Sequence, residues 1–178
     1  RHTGAGNGDE EMKELLITGA WRCGEQQVQA LEQMGYAVTF WPDERQAVNM
    51  DTQRFEAVIC GGLFLTTPIE RFPALKCIQV TSAGLDRVPL DYCKAHGITV
   101  YNAGGVYSAP MAEFVLGGIL QLYKESKFFA ENQAAHRWEK HRGLRELSGK
   151  TACIIGTGSV GSAIARRLRA FDVQTVGM

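Results

Sequence analysis

Between Thr151 and Leu168 the sequence reads TACIIGTGSVGSAIARRL, with glycines at Gly156, Gly158 and Gly161. Glycines at that spacing suit the holding of a diphosphate. The first lets the chain turn sharply, the second lets an anion approach the backbone, and the third lets a helix pack close to a strand. The apolar run from Ala152 to Ile155 reads as a strand buried on both faces. After the glycines, Ala163, Ile164 and Leu168 recur at helical spacing, with Arg166, Arg167 and Arg169 assigned to the solvent face. A helix that starts at such a turn offers free N–H groups and a partial positive charge to an anion. The chemistry implied is dinucleotide binding; a turn that merely connects two elements is the alternative. The acidic or basic residue that would separate NAD from NADP belongs about 20 residues further on. It falls past the strand expected at Val173 to Val176, so both cofactors stay open.

The preceding residues supply a scaffold. Apolar strands are expected at LLIT (from Leu15), AVTFW (Ala37 to Trp41), AVICGG (Ala57 to Gly62), KCIQVT (Lys76 to Thr81) and ITVYN (from Ile98). Helices are expected at Glu25 to Met34, stopped by Gly35 and facing inward through Val28, Leu31 and Ala30, and at Leu90 to His96, closed by Gly97. Strands alternating with helices and loops predict a parallel α/β sheet, whose ligand loops lie at the carboxyl ends of its strands. Three loops qualify there: Gly61-Gly62 with Leu63 to Pro68, Ser82 to Asp86, and Asn102 to Ser108. The first reads equally well as a plain turn. Ser108 opens a long helix whose apolar face is assigned to Met111, Phe114, Val115, Gly118, Ile119 and Leu122, widened by Leu116 and Leu120. So broad an apolar surface has to be covered from more than one side. The polar stretch from Lys124 to Gly149 reads as an exposed arm anchored by Trp138.

Composition narrows the class. With 45% hydrophobic and 21% charged residues the chain is of ordinary globular character, and a formal net charge of zero gives no broad attraction to nucleic acid or an anionic membrane. No run approaches the roughly 18 apolar residues of a membrane span. Five dispersed cysteines, of which Cys60, Cys77 and Cys153 sit in apolar strand-like runs, predict buried reduced thiols in a cytoplasmic protein with no metal site. The polar, glycine-rich residues 1–12 read as a disordered leader.

Three segments taken together, ALKCIQVTSAGLDRVPL, GITVYNAGGVYSAPMAEFVLGGIL and ELSGKTACIIGTGSVGSAIARRL, resemble the D-isomer-specific 2-hydroxyacid dehydrogenase family, from about Leu15 onward. The resemblance implies a flavodoxin-like parallel-sheet substrate domain over residues 13–103. An inter-domain helix and dimerisation arm over 104–149 follows, then the first part of a Rossmann nucleotide-binding domain over 150–178. It implies hydride transfer between NAD or NADP and a small 2-hydroxy acid or 2-oxo acid, and a homodimer formed through 104–149. The substrate carboxylate would meet backbone N–H groups at Ala83 and Gly84, with Tyr107 lining the pocket. The cofactor pyrophosphate would meet the backbone around Ser159 and Val160.

In that family a histidine, its carboxylate partner and an arginine perform the chemistry well downstream of the glycine motif, and no position of this chain matches them. The chain is therefore expected to be a fragment or a natural truncation, inactive alone. Its four histidines are assigned solvated or capping roles, Arg22 and Arg87 surface ion-pairing roles, and Glu113 a helix-start or dimer-contact role. A dinucleotide-sensing, co-repressor-like binding protein on the same scaffold is the alternative function. A nucleotide-binding enzyme of another kind, such as a methyltransferase, would share the glycine turn but leave SAGLD and the long helix unexplained.

Overall fold

The computed structural model describes residues 12–178. The expected leader lies, apart from Met12, outside them. The chain divides into two compact units, residues 1–104 and 105–178.

The first unit is built on five parallel strands: β1 (Lys13–Thr18), β2 (Tyr36–Trp41), β3 (Ala57–Cys60), β4 (Cys77–Val80) and β5 (Thr99–Tyr101), in the spatial order β2-β1-β3-β4-β5. That order is the flavodoxin-like one, and it reverses direction between β1 and β3. Both faces of the central strands are covered, so Leu15, Leu16, Ile17 and Thr18 are all buried. Leu16 joins the larger core with Phe55, Val58, Phe72, Ile78 and Val80; Leu15 and Ile17 pack on the opposite side with Ala57, Trp21, Leu31 and Val38. Truncating Phe55 or Phe72, each almost fully enclosed, to alanine would cost about 3–5 kcal/mol.

Helix α1 (Glu25–Gln33) ends where Gly35 takes φ +85°, and α2 (Leu90–Ala95) ends before Gly97 at φ +69°. Both stops use the left-handed conformation that glycine adopts without a Cβ penalty. Leu31 packs inward as the periodicity requires and Val28 is half-buried, but Ala30 is exposed. It sits two positions from Val28, which on a 3.6-residue helix is nearly the opposite side.

In the second unit, α3 (Ser108–Tyr123) and α4 (Ser126–Ala134) precede a βαβ turn made of β6 (Thr151–Ile154), α5 (Ser159–Arg169) and β7 (Gln174–Gly177). Leu147, Leu168 and Val173 form its core with Leu116, Ile119, Leu120, Tyr123, Ala152, Ile154 and Ile164.

Several sequence expectations fail in this unit, each for a tertiary reason. Strand β6 is not buried on both faces: Ala152 and Ile154 turn toward the helices, while Thr151 and Cys153 are exposed and Ile155 is 85% exposed. Only one side of this two-stranded sheet is covered. Hence Cys153 is not a buried thiol, although Cys60 and Cys93 are. Helix α3 packs through Ala112, Leu116, Ile119, Leu120 and Tyr123, and leaves Met111, Phe114 and Leu122 exposed. Its all-round apolar character concealed which stripe meets α5. Arg167 leaves the solvent face, bonding the Ala163 carbonyl at 3.3 Å and the Glu113 carboxylate of α3 at 3.2 Å. Trp138 anchors nothing, being fully exposed. The stretch after α3 contains α4, and its aromatic packing is His141 against Phe128, with centroids 4.5 Å apart.

Candidate functional site

The turn between β6 and α5 is shaped by its first and last glycines. Gly156 has φ +93°, a conformation that side chains strain to adopt, and its N–H closes the turn onto the Met178 carbonyl at 2.8 Å. A Cβ on Gly161 would overlap the carbonyl oxygen of Gly156 and lie 3.2 Å from Ile154 Cγ2, so only glycine allows α5 to sit this close to β6. Gly158 is different. Nothing lies within 4 Å of the position its Cβ would take, so the protein itself does not demand glycine there, whereas a group approaching from outside would.

The first hydrogen bond of α5 runs from Ser162 N–H to the Gly158 carbonyl at 2.9 Å. The N–H groups of Ser159, Val160 and Gly161 precede it and lack helical partners, as at any helix start. The Ser162 hydroxyl bonds the Thr157 carbonyl at 3.0 Å and steadies the turn from below. Gly156, Gly158 and Ser159 are exposed, Val160 half-buried and Gly161 buried. Vacant amides, an open glycine and the positive end of the helix make a cradle for an anion. It fits a diphosphate.

In the first unit the expected carboxylate loop, Ser82 to Asp86, follows β4, and its carbonyls are engaged in sequence. The Ser82 carbonyl accepts Ala103 N–H at 2.9 Å, the Ala83 carbonyl accepts Asn102 Nδ2 at 2.7 Å, and the Gly84 carbonyl accepts the Ser82 hydroxyl at 2.8 Å. In a planar trans peptide the following N–H points opposite to the carbonyl. The N–H groups of Ala83, Gly84 and Leu85 are thereby turned away from these partners. Ala83 and Gly84 are exposed. Successive N–H groups left out of these bonds are a donor set that an anion can use. Asn102, which sequence reasoning placed at a strand end and in the loop after it, braces this turn through the Ala83 carbonyl and its own loop through Oδ1, which accepts Gly104 N–H at 3.1 Å.

The Gly61-Gly62 turn after β3 is already filled. Gly61 N–H donates to Glu44 Oε1 at 2.8 Å and Gly62 N–H to Glu44 Oε2 at 2.6 Å; the Thr18 hydroxyl also bonds Oε1. This loop is removed from the candidates. Nothing local in FWPDER marks Glu44 as the residue that will occupy it. The same carboxylate lies near Cys60, whose thiol is pushed up to about 12, first by burial and then by that negative charge.

Other candidates take quieter places. Tyr107 belongs to the second unit, just ahead of α3, and is partly exposed. His96 Nδ1 lies 2.9 Å from the Tyr92 carbonyl and its ring stacks on Tyr92, a helix-end role. His136 is exposed, whereas His141 is packed against aromatic rings and is not simply solvated. Among the described residues Arg87 makes no ion pair, and its Cδ lies 3.7 Å from where a Cβ on Gly62 would be. No helix among them is long and apolar enough to cross a membrane.

Comparison with known proteins bears on the family and the fold. The catalytic-domain profile of the D-isomer specific 2-hydroxyacid dehydrogenases matches residues 16–168. A glyoxylate reductase of Thermofilum pendens is 31% identical over 144 residues, covering 75% of this chain and 42% of the relative. A glycerate dehydrogenase of Hyphomicrobium methylovorum is 37% identical over 111 residues, covering 60% of this chain and 34% of the relative. The crystal structure of D-lactate dehydrogenase from Aquifex aeolicus, complexed with NAD and lactic acid, superposes with a TM-score of 0.71 at 23% identity, over 92% of this chain and 50% of that one. The chain thus spans less than half the length of these two curated relatives. Its α/β parallel-sheet fold is theirs, and with most of its length matched by the family profile, the chain belongs to the D-isomer-specific 2-hydroxyacid dehydrogenase family.

Proposed function

We propose that the protein is an oxidoreductase that moves a hydride between NAD or NADP and a small 2-hydroxy acid or 2-oxo acid. The observation that carries this reading is the vacant amide cradle at Ser159, Val160 and Gly161, beneath a Gly158 that the protein itself leaves open. Those amides would hold the cofactor diphosphate, with Gly156 setting the turn. When bound, the nicotinamide cofactor supplies or accepts the hydride. The residues of this chain bind and orient. The N–H groups of Ala83 and Gly84 take the substrate carboxylate, and Asn102 braces the turn that carries them. The names of the two relatives, glyoxylate reductase and glycerate dehydrogenase, favour acids of two or three carbons. General acid–base chemistry is assigned to no residue here, because among the described residues no histidine bonds either cradle.

The same reading makes the protein a homodimer through residues 104–149, where Met111, Phe114, Leu122 and Trp138 expose apolar surface that a second copy would cover. The test is a calorimetric titration of the full-length protein with NADH and NADPH, followed by cofactor oxidation with glyoxylate, hydroxypyruvate and pyruvate. Binding of one reduced dinucleotide and turnover with a 2-oxo acid are expected. Failure to bind either dinucleotide would sink the proposal.

A further inference from the structure

In an open parallel sheet of order 2-1-3-4-5, the ligand crevice lies where the order reverses, outside the carboxyl ends of β1 and β3. Here the protein fills that place with its own side chain. Glu44, from the segment after β2, brings both carboxylate oxygens to the switch point, where they accept Gly61 N–H, Gly62 N–H and the Thr18 hydroxyl. Its main chain is fixed as well, the Thr66 hydroxyl donating to the Glu44 carbonyl at 2.6 Å. Two successive backbone N–H groups and a hydroxyl converging on a carboxylate form the donor set that an anionic ligand would use.

The Ala83–Leu85 turn is one strand further along. The two turns are joined through Thr81, whose N–H bonds the Cys60 carbonyl at 2.9 Å. A Cβ on Gly61 would lie 3.2 Å from Thr81 Oγ1 and 3.2 Å from Glu44 Oε2, so glycine is what lets both turns and the carboxylate share this space. Left empty, the β3 turn would compete for the same carboxylate as its neighbour, and a bound oxo acid would have two registers.

We infer that Glu44 is a specificity-determining residue: it keeps the first of two adjacent amide cradles filled, so that a free carboxylate is taken by the second alone. A tethered carboxylate acts at an effective concentration of about millimolar or more, with its geometry already fixed by the Thr66 bond, and it excludes a weakly held acid from solution. The inference rests on the carboxylate-binding reading of Ala83 and Gly84.

The test uses full-length protein labelled with ¹⁵N-glycine and titrated with acetate and with glyoxylate. In the wild type the Gly84 amide signal should shift with glyoxylate while Gly61 and Gly62 stay in place. In Glu44→Ala the Gly61 and Gly62 signals should shift saturably with acetate. Glu44→Gln, neutral and of the same size, is titrated alongside so that a folded variant lacking the carboxylate is at hand. If Gly84 moves but Gly61 and Gly62 ignore acetate in both variants, or if they already respond in the wild type, the role of Glu44 is overturned. If Gly84 never moves in the wild type, the substrate reading itself fails, and the selective role falls with it.

Discussion

Two glycine turns of this molecule look alike in sequence and differ in what meets their amides. Gly61-Gly62 follows a buried strand at the switch point of the first unit, and its N–H groups bond a carboxylate supplied from residue 44. The turn from Gly156 to Gly161 follows a strand of the second unit, and the amides at its helix start lack any such partner. Glycine is what both turns share; an internal anion is what separates them. A glycine-rich turn at a strand end thus marks where an anion can bind, and long-range packing settles whether that anion is the protein's own.

The sharpest way to break the comparison is at the third glycine. Gly161→Ala would drive a methyl group into the Gly156 carbonyl, a backbone atom that cannot step aside, and should cost about 3 kcal/mol. Denaturant melting of the full-length protein measures this. Gly158→Ala meets nothing within 4 Å, so its melting curve should move by less than about 0.5 kcal/mol while dinucleotide affinity falls. Equal losses of stability would show that the open glycine serves the fold after all.

Emptying the filled turn comes next. Glu44→Ala strands two N–H groups and a hydroxyl and should cost about 2 kcal/mol, read from the shift in the urea midpoint. Asn102→Ala removes a bond to the Ala83 carbonyl and one to Gly104 N–H. It should cost about 1 kcal/mol and raise KM for the oxo acid more than it lowers kcat; an unchanged KM would separate Asn102 from the substrate turn.

The mildest effect concerns thiols. With its pKa pushed up from 9.0 to about 12, the Cys60 thiol stays neutral in the native state at pH values where an unfolded thiol would ionise. The stability linked to it is intact below pH 9.0 and is lost as pH rises toward 12. Alkylation at pH 8, followed by mass spectrometry, should modify exposed Cys153 first and Cys60 last. Comparable labelling rates would contradict the burial of the first-unit core.

Much of this was legible from local pattern. Alternating apolar runs, Gly35 and Gly97 as helix stops, and the strand–glycine–helix order around Gly156 depend on backbone sterics and nearest neighbours, so they can be read along the chain. The faces could not be. Helix α3 is apolar almost all round, and only the position of α5 selects Leu116, Ile119 and Leu120 over Phe114 and Leu122. Arg167 reads as a surface charge until Glu113, 54 residues earlier, is brought beside it.

By itself, then, the sequence determined the order of elements, the parallel α/β class and the glycine turn that opens α5, because propensity and periodicity act over a few residues. Tertiary structure alone decided that Glu44 fills one turn, that Asn102 braces another through the Ala83 carbonyl, and that Trp138 stands free. Those outcomes depend on hydrogen bonds and packing between residues far apart in the chain, and such partners exist only once the strands have taken their order.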